Sequence, residues 1–276
     1  MAREFSRHVG SDLIDGLKKE PLWAKLEPDC RSGDVFLAIR EDYISFYHQG
    51  GGLFTFDKNG FKTHVKYAAV ADVKKDTYIS EGQLEKIQLI KTFAGEGYGQ
   101  IKKNCALYSG EEAEGVANLL KKNSYLHGKG IFVLDTEVAF ARPEGEQDRI
   151  DILLYDNDSR TLRFVEAKHF SNGDLWSKST PKVVEQIARY EEQLECHKDE
   201  LIDEYGKYID GLNQIFGISL NAPKGYDVNI SLLIFGFDGA QKDSDRFKNM
   251  EYGSIPVYRL GDPKDLSAET IWKMAR

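Results

Sequence analysis

Short aromatic and β-branched segments alternate with polar or glycine-rich breaks in the first half of the chain. This alternation is typical of antiparallel strands joined by tight hairpins. The predicted strands are residues 35–39, 43–47, 53–56, 62–67, 86–90 and 101–108. A helix is predicted on either side of them, at residues 11–27 and 109–120. We therefore expect a small β-barrel or sandwich closed by a helix.

Three glycines, Gly95, Gly97 and Gly99, lie between the last two predicted strands. A phosphate-binding loop needs a helix directly after its glycines. Because strand-like residues follow here, we expect a flexible hairpin tip and not a ligand-binding loop.

The second half of the chain has longer apolar strands and one long amphipathic segment. The predicted elements are strands at 131–140, 149–155 and 162–168, a helix at 181–212, a strand at 228–237, a short helix near 242–250 and a strand at 256–259. This order, βββαβαβ, is typical of a mixed sheet covered by helices. The sequence therefore predicts an α/β (α+β) fold with a β-rich domain at residues 1–124 and a mixed-sheet domain at 125–276. The alternative is that the helix at 109–120 begins the second domain.

Composition limits the class of protein. The chain has 276 residues, of which 41% are hydrophobic and 30% charged, as in ordinary globular proteins. No apolar run approaches the roughly eighteen residues of a membrane span, and the first residues lack the apolar segment of a secretory signal. The three widely spaced cysteines, Cys30, Cys105 and Cys196, exclude a disulfide framework and a cysteine zinc cluster. We therefore expect a cytoplasmic protein without a membrane partner.

The formal net charge of −8 is unevenly distributed along the chain. Residues 185–210 contain nine acidic and three basic side chains, and they account for six of the eight excess negative charges. This balance argues against a protein that coats nucleic acid nonspecifically. Because the acidity is concentrated on one predicted helix, it does not exclude local binding of DNA elsewhere on the surface.

Four ionisable residues interrupt the apolar strands of the second half. Glu137, Asp151 and Glu166 lie among apolar residues, and Lys168 shares a strand face with Glu166, about 7 Å along the strand. Burying such charges is costly unless they are paired or bind a metal ion. Mg²⁺ and Mn²⁺ prefer carboxylate ligands, and the lysine adds a group that positions or deprotonates a water or stabilises charge on a phosphate. The set suits phosphodiester hydrolysis.

The spacing of these residues resembles the motif of the PD-(D/E)XK nuclease superfamily. Asp151 is followed, after fourteen residues, by Glu166-Ala167-Lys168. Gln186 and Tyr190, on one face of the next predicted helix, resemble the Gln-x-x-x-Tyr motif of RecB-type members. The resemblance covers residues 131–238 and departs from the family pattern at Ile150, where the motif has proline.

This resemblance implies a restriction-endonuclease-like domain with Asp151, Glu166 and the Ala167 carbonyl as metal ligands. It implies Lys168 as the catalytic lysine and Glu137 as a further acidic residue that also binds metal. It places Gln186 and Tyr190 on a helix face that looks toward the metal site and the nucleic-acid backbone. The first domain resembles a pleckstrin-homology-like module only loosely.

We therefore expect a nuclease that depends on Mg²⁺ or Mn²⁺ and acts on DNA, with an N-terminal domain that recognises the substrate or a partner. One alternative is a non-catalytic nucleic-acid- or protein-binding protein on a nuclease-like scaffold. The other is a function dominated by the N-terminal domain, as a homodimer or protein-interaction module.

Overall fold

The aromatic segments of the N-terminal part form an antiparallel sheet. The computed structural model describes residues 5–70, 87–127, 130–140, 149–177 and 180–274. Within them, the first sheet has the order β1–β2–β3–β4. Its strands are β1 (Phe36–Arg40), β2 (Tyr43–His48), β3 (Gly51–Asp57) and β4 (Gly60–Lys62). The β2–β3 turn is tight, since Gln49 and Gly50 both have a positive φ, of 47° and 78°.

Two helices precede this sheet where the sequence predicted one at residues 11–27. They are α1 (Ser11–Lys19) and α2 (Trp23–Arg31). Pro21 disfavours a helical backbone at the residue before it, and Glu20 is extended, with ψ of 132°. Gly10 is the N-cap of α1, and Ser11 is its first helical residue.

The strand predicted at 62–67 is confirmed only at Lys62, where β4 ends, and the strand predicted at 101–108 is wrong throughout. The chain forms the short helix α3 (Val65–Ala68) and the helix α4 (Glu96–Ala106) in these places. In α4, the buried residues Ile101, Asn104 and Cys105 are spaced as one helix face, so the apolar positions serve a helix and not a strand. Between them, β5 (Ala69–Val70) and β6 (Gln88–Leu89) form a two-stranded pair, and β6 falls within the strand predicted at 86–90.

The hairpin tip expected at the three glycines is also wrong. Gly95, with φ of 69°, caps helix α4, and Gly97 and Gly99 lie in its first turns. A Cβ at Gly97 would clash with the Thr92 carbonyl, so this glycine permits a close backbone approach.

The C-terminal part forms the predicted mixed sheet, with the order β12–β11–β9–β8–β7 and β10 paired to β9. Its strands are β7 (Ile131–Ala139), β8 (Arg149–Asp156), β9 (Thr161–His169), β10 (Gly225–Tyr226), β11 (Ser231–Phe235) and β12 (Val257–Leu260). Strands β7, β8 and β9 are antiparallel, whereas β10, β11 and β12 run parallel to their neighbours. The mixed α/β fold class predicted from the sequence is confirmed.

Two helices predicted in this part are each divided in two. The helix predicted at 181–212 is divided at His197, whose ring stacks on Phe140 at 5.5 Å. The helix predicted near 242–250 is divided at Ser244, whose side chain caps the second piece. The helices are α5 (Glu111–Asn123), α6 (Lys182–Cys196), α7 (Lys198–Phe216), α8 (Gly239–Asp243), α9 (Asp245–Lys248) and α10 (Ala268–Met274). Helix α10 and strand β10 were not predicted.

Both sheets contribute to one continuous hydrophobic core. The Tyr125 hydroxyl donates to the Leu37 carbonyl at 2.8 Å, and Arg40 of β1 forms a buried ion pair with Asp135 of β7. Helix α5 packs on β7 and β9 of the second sheet. The boundary at residue 124 stays a prediction. None of the helices in the described ranges is both long and apolar enough to cross a lipid bilayer.

Candidate active site

Strands β8 and β9 bring three of the predicted site residues together. Ile152 pairs with Val165 in the antiparallel register, which places Asp151 opposite Glu166. Asp151 Oδ2 accepts a hydrogen bond from the Ala167 amide at 2.8 Å. Lys168 Nζ lies 2.6 Å from Glu166 Oε1, and both side chains are buried, with exposed fractions of 8% and 1%. The strand period of two therefore produces a buried ion pair beside a second carboxylate.

The carboxylates of this group are held in an environment that disfavours two negative charges. Glu166 Oε2 is buried and has no hydrogen-bond partner. Burial raises the pKa of Glu166 to about 7 despite the opposing effect of Lys168. Burial and the neighbouring Glu166 carboxylate also hold the pKa of Asp151 well above its usual range. A proton or a cation between these groups would relieve the repulsion.

Lys168 stays charged in this environment. Burial by itself would lower the pKa of its ammonium, but the surrounding carboxylates outweigh burial and leave that pKa above the ordinary lysine value. The lysine is therefore suited to stabilise negative charge, and not to accept a proton from water.

A third carboxylate, from Glu112 in the first turn of α5, was missed by the sequence analysis. Its Oε2 accepts hydrogen bonds from the His169 amide at 3.0 Å and from Asn172 Nδ2 at 2.9 Å. Its Oε1 lies 3.8 Å from Lys168 Nζ. The acidic first turn of the helix before β7 was a signal in the sequence for Glu112. The sequence left open which domain that helix belongs to.

Glu137 lies at the edge of the site and not within the ion-pair group. It has a positive φ of 53°, and its carboxylate, 36% exposed, is 3.2 Å from Arg149 Nη1. The neighbouring acidic residue of β7, Asp135, is the buried one, and it pairs with Arg40 and Arg7. A bulge in the β7–β8 pairing between Val133 and Asp135 accompanies this arrangement.

Gln186 and Tyr190 fix helix α6 to the beginning of β8. Gln186 Nε2 donates to the Tyr190 hydroxyl at 2.6 Å, and this hydroxyl donates to the Arg149 carbonyl at 2.7 Å. Tyr190 is fully buried. The two residues share one helix face as predicted, and their contact lies two residues before Asp151.

A cavity of about 100 Å³ opens at the carboxylates. It is lined by Tyr47, Gly50, Glu112, Ala113, Val116, Leu120, Thr136, Glu137 and Asp151. The donor chemistry fits a hard divalent cation, because Asp151 borders the cavity and the buried Glu166 Oε2 has no partner. The described residues contain no group of three acidic, histidine or cysteine side chains already spaced to hold a metal ion. Such an ion would therefore complete its shell with the Ala167 carbonyl, water or substrate oxygens, as is usual for Mg²⁺.

Comparisons of this chain with protein-family models, with curated proteins and with solved structures give no match. The resemblance to the PD-(D/E)XK superfamily stays a prediction, and the chemistry of the site has to carry any proposal about function.

Without divalent cations, the free energy of unfolding is expected to fall as the pH rises from about 4.5, the ordinary pKa of a glutamate, to about 7, the pKa of Glu166 in the folded protein. In this range the folded state binds more protons than the unfolded state, so a rising pH favours unfolding. Asp151 acts in the same direction. Urea unfolding in EDTA across this range measures the slope, and Glu166→Gln should flatten it. An identical slope in the variant would contradict the assignment.

Proposed function

We propose that this protein is a metal-dependent nuclease that hydrolyses phosphodiester bonds of DNA. The observation that carries the proposal is the group formed by Asp151, Glu166 and Lys168, in which an unpartnered buried carboxylate oxygen lies beside a charged lysine. Carboxylates with raised pKa values are typical of functional sites, and one of the two, Asp151, lines the cavity.

Each residue has a distinct part in the proposed reaction. Asp151, Glu166 and the Ala167 carbonyl would hold Mg²⁺ or Mn²⁺, which supplies Lewis-acid stabilisation of the phosphate and lowers the pKa of water. The Lys168 ammonium would stabilise the negative charge that develops on the phosphate oxygens. Glu112, which two hydrogen bonds hold in place, would keep Lys168 oriented.

The remaining predicted residues would act around this centre. Glu137 lines the cavity at the surface, where it would contact water or substrate. Gln186 and Tyr190 would hold β8, and with it Asp151, in position through the Arg149 carbonyl.

The second candidate is a non-catalytic binding protein on the same scaffold. The observation in its favour is that Lys168 already neutralises Glu166 at 2.6 Å, while the described residues offer no ready three-residue metal group. In that case the buried pair would be structural, and the cavity would bind no metal ion.

Calorimetric titration with Mn²⁺ separates the two candidates, in parallel with a DNA cleavage assay in Mg²⁺ and in EDTA. We expect the wild type to bind Mn²⁺ and to cleave only with a divalent cation. Asp151→Ala should lose both properties, whereas Asp158→Asn, a change in the exposed turn after the same strand, should keep both. Mn²⁺ binding that is absent, or unchanged in Asp151→Ala, would favour the non-catalytic candidate.

A further inference from the structure

The N-terminal sheet forms one wall of the cavity at the carboxylates. Tyr47 of β2 and Gly50 of the β2–β3 turn line it together with Thr136, Glu137 and Asp151 from the second sheet. The two parts of the chain therefore build one site, although the three residues of the ion-pair group come from the C-terminal part alone.

This wall is anchored to helix α5. A Cβ on Gly50 would clash with Ala113 of α5, so the turn lies directly against the helix. The Ser109 hydroxyl, just before α5, donates a hydrogen bond to the Gln49 carbonyl. Helix α5 also carries Glu112, so the turn and this carboxylate belong to one packed unit.

The wall is anchored to strand β7 as well. Arg40 of β1 donates to Asp135 Oδ1 at 2.8 Å and to the Thr136 carbonyl at 2.6 Å. Asp135 is completely buried. Because both sides of the wall are tied to elements that line the cavity, rigid-body opening of the N-terminal sheet would break a buried ion pair and part of the common core.

A fixed wall limits the shape of the substrate. The cavity has a volume of about 100 Å³, which suits a phosphate-sized group. The bases of a duplex are paired inside it, whereas a single strand can bend its backbone toward a narrow opening and turn unpaired bases aside to stack there.

Tyr47 supplies an aromatic ring at this opening. The ring is half-buried, and Arg40 Nη2 donates to its hydroxyl at 3.3 Å. Aromatic rings bind the bases of single strands by stacking, without preference for sequence. On the basis of the proposed function, we infer that the site takes a single polynucleotide strand in preference to a duplex, and that Tyr47 stacks against the nucleotide beside the scissile phosphate.

Fluorescence anisotropy with the full-length protein tests this inference by binding. Labelled single-stranded DNA, single-stranded RNA and blunt duplex DNA of one sequence are titrated in Ca²⁺, with a gel to verify that they stay intact. We expect at least one single strand to bind about tenfold or more tightly than the duplex. Tyr47→Ala should weaken that binding about fivefold or more, while Tyr47→Phe, which keeps the ring, should bind like the wild type.

Tyr43→Ala is the matched control, because Tyr43 belongs to the same strand but lines a separate groove beside α1. Equal binding of duplex and single strands, or equal losses in Tyr47→Ala and Tyr43→Ala, would overturn the inference. Cleavage is assayed separately, so that a failure of the single-strand inference can be distinguished from a failure of the proposed nuclease function. Lys168-dependent cleavage that prefers duplex DNA would overturn only the inference. Tyr47-dependent binding of single strands without cleavage would overturn the nuclease and support the single-strand binding part of the inference alone.

Discussion

The Glu166→Gln variant is expected to lose metal-dependent cleavage by on the order of a thousandfold without becoming easier to unfold. The buried Glu166 carboxylate is a proposed metal ligand, and an uncharged amide of the same shape would bind a divalent cation poorly. Above about pH 7, the free energy of unfolding of the variant should be no lower than that of the wild type. Burial raises the pKa of Glu166 to about that value and makes its charged form costly.

Lys168→Ala should likewise reduce cleavage, on the order of a hundredfold or more, since it removes the cation proposed to stabilise the phosphate. The surface pair Lys198 and Glu195 is a matched control. Lys198 Nζ lies 2.5 Å from Glu195 Oε1, but the two side chains are 50% and 62% exposed. Lys198→Ala and Glu195→Gln should therefore leave cleavage unchanged.

Single-turnover cleavage rates and urea unfolding, measured on the same preparations, check both expectations. If the buried and the exposed variants behaved alike in cleavage, the site assignment would be wrong. A Glu166→Gln variant that lost activity together with several kcal/mol of stability would indicate a structural ion pair.

The Asp135→Ala variant is expected to lose about 3–5 kcal/mol of the free energy of unfolding. Asp135 is completely buried and accepts hydrogen bonds from Arg40, from the Thr136 amide and from the Tyr205 hydroxyl. Arg7 Nε lies 3.4 Å from Asp135 Oδ2. Removing the carboxylate would leave two buried guanidinium groups without their counter-ion, and such uncompensated charges are costly.

Urea or thermal unfolding followed by circular dichroism measures this loss. Asp243→Ala is the control, since Asp243 pairs with Lys248 at 3.2 Å while 76% exposed, and its removal should have little effect. A small loss in Asp135→Ala would mean that water or other acceptors compensate the two arginines. The anchoring of the N-terminal wall to β7 would then be weaker than proposed.

Part of the site was predictable because it depends on local geometry. Glu166 and Lys168 share a strand face by the period of two, and a hairpin register places Asp151 opposite Glu166. The i, i+4 spacing likewise places Gln186 and Tyr190 on one face of α6. In each case the partners belong to one strand, one hairpin or one helix, so sequence spacing determines which side chains can meet.

The acidic residues of β7 show where local reasoning fails. Glu137 and Asp135 lie on one strand with similar neighbours, and the sequence analysis selected Glu137. The structure buries Asp135 because two arginines distant in sequence, Arg7 and Arg40, supply its counter-charge. Glu112 escaped notice for the same reason, since its hydrogen-bond partners on and after β9 lie 57 and 60 residues away.

The amino-acid pattern by itself determined the hairpin strands β1, β2 and β3, the three antiparallel strands β7, β8 and β9 with the helical segment after them, and the neighbourhood of Asp151, Glu166 and Lys168. These follow from alternation, turn residues and spacing, which act over short stretches of chain. Only the tertiary structure decided that residues 101–108 belong to a helix, that Glu112 joins the site and that Tyr47 and Gly50 form its wall. Packing between distant segments decides these features, because the free energy of burying a face depends on what covers it.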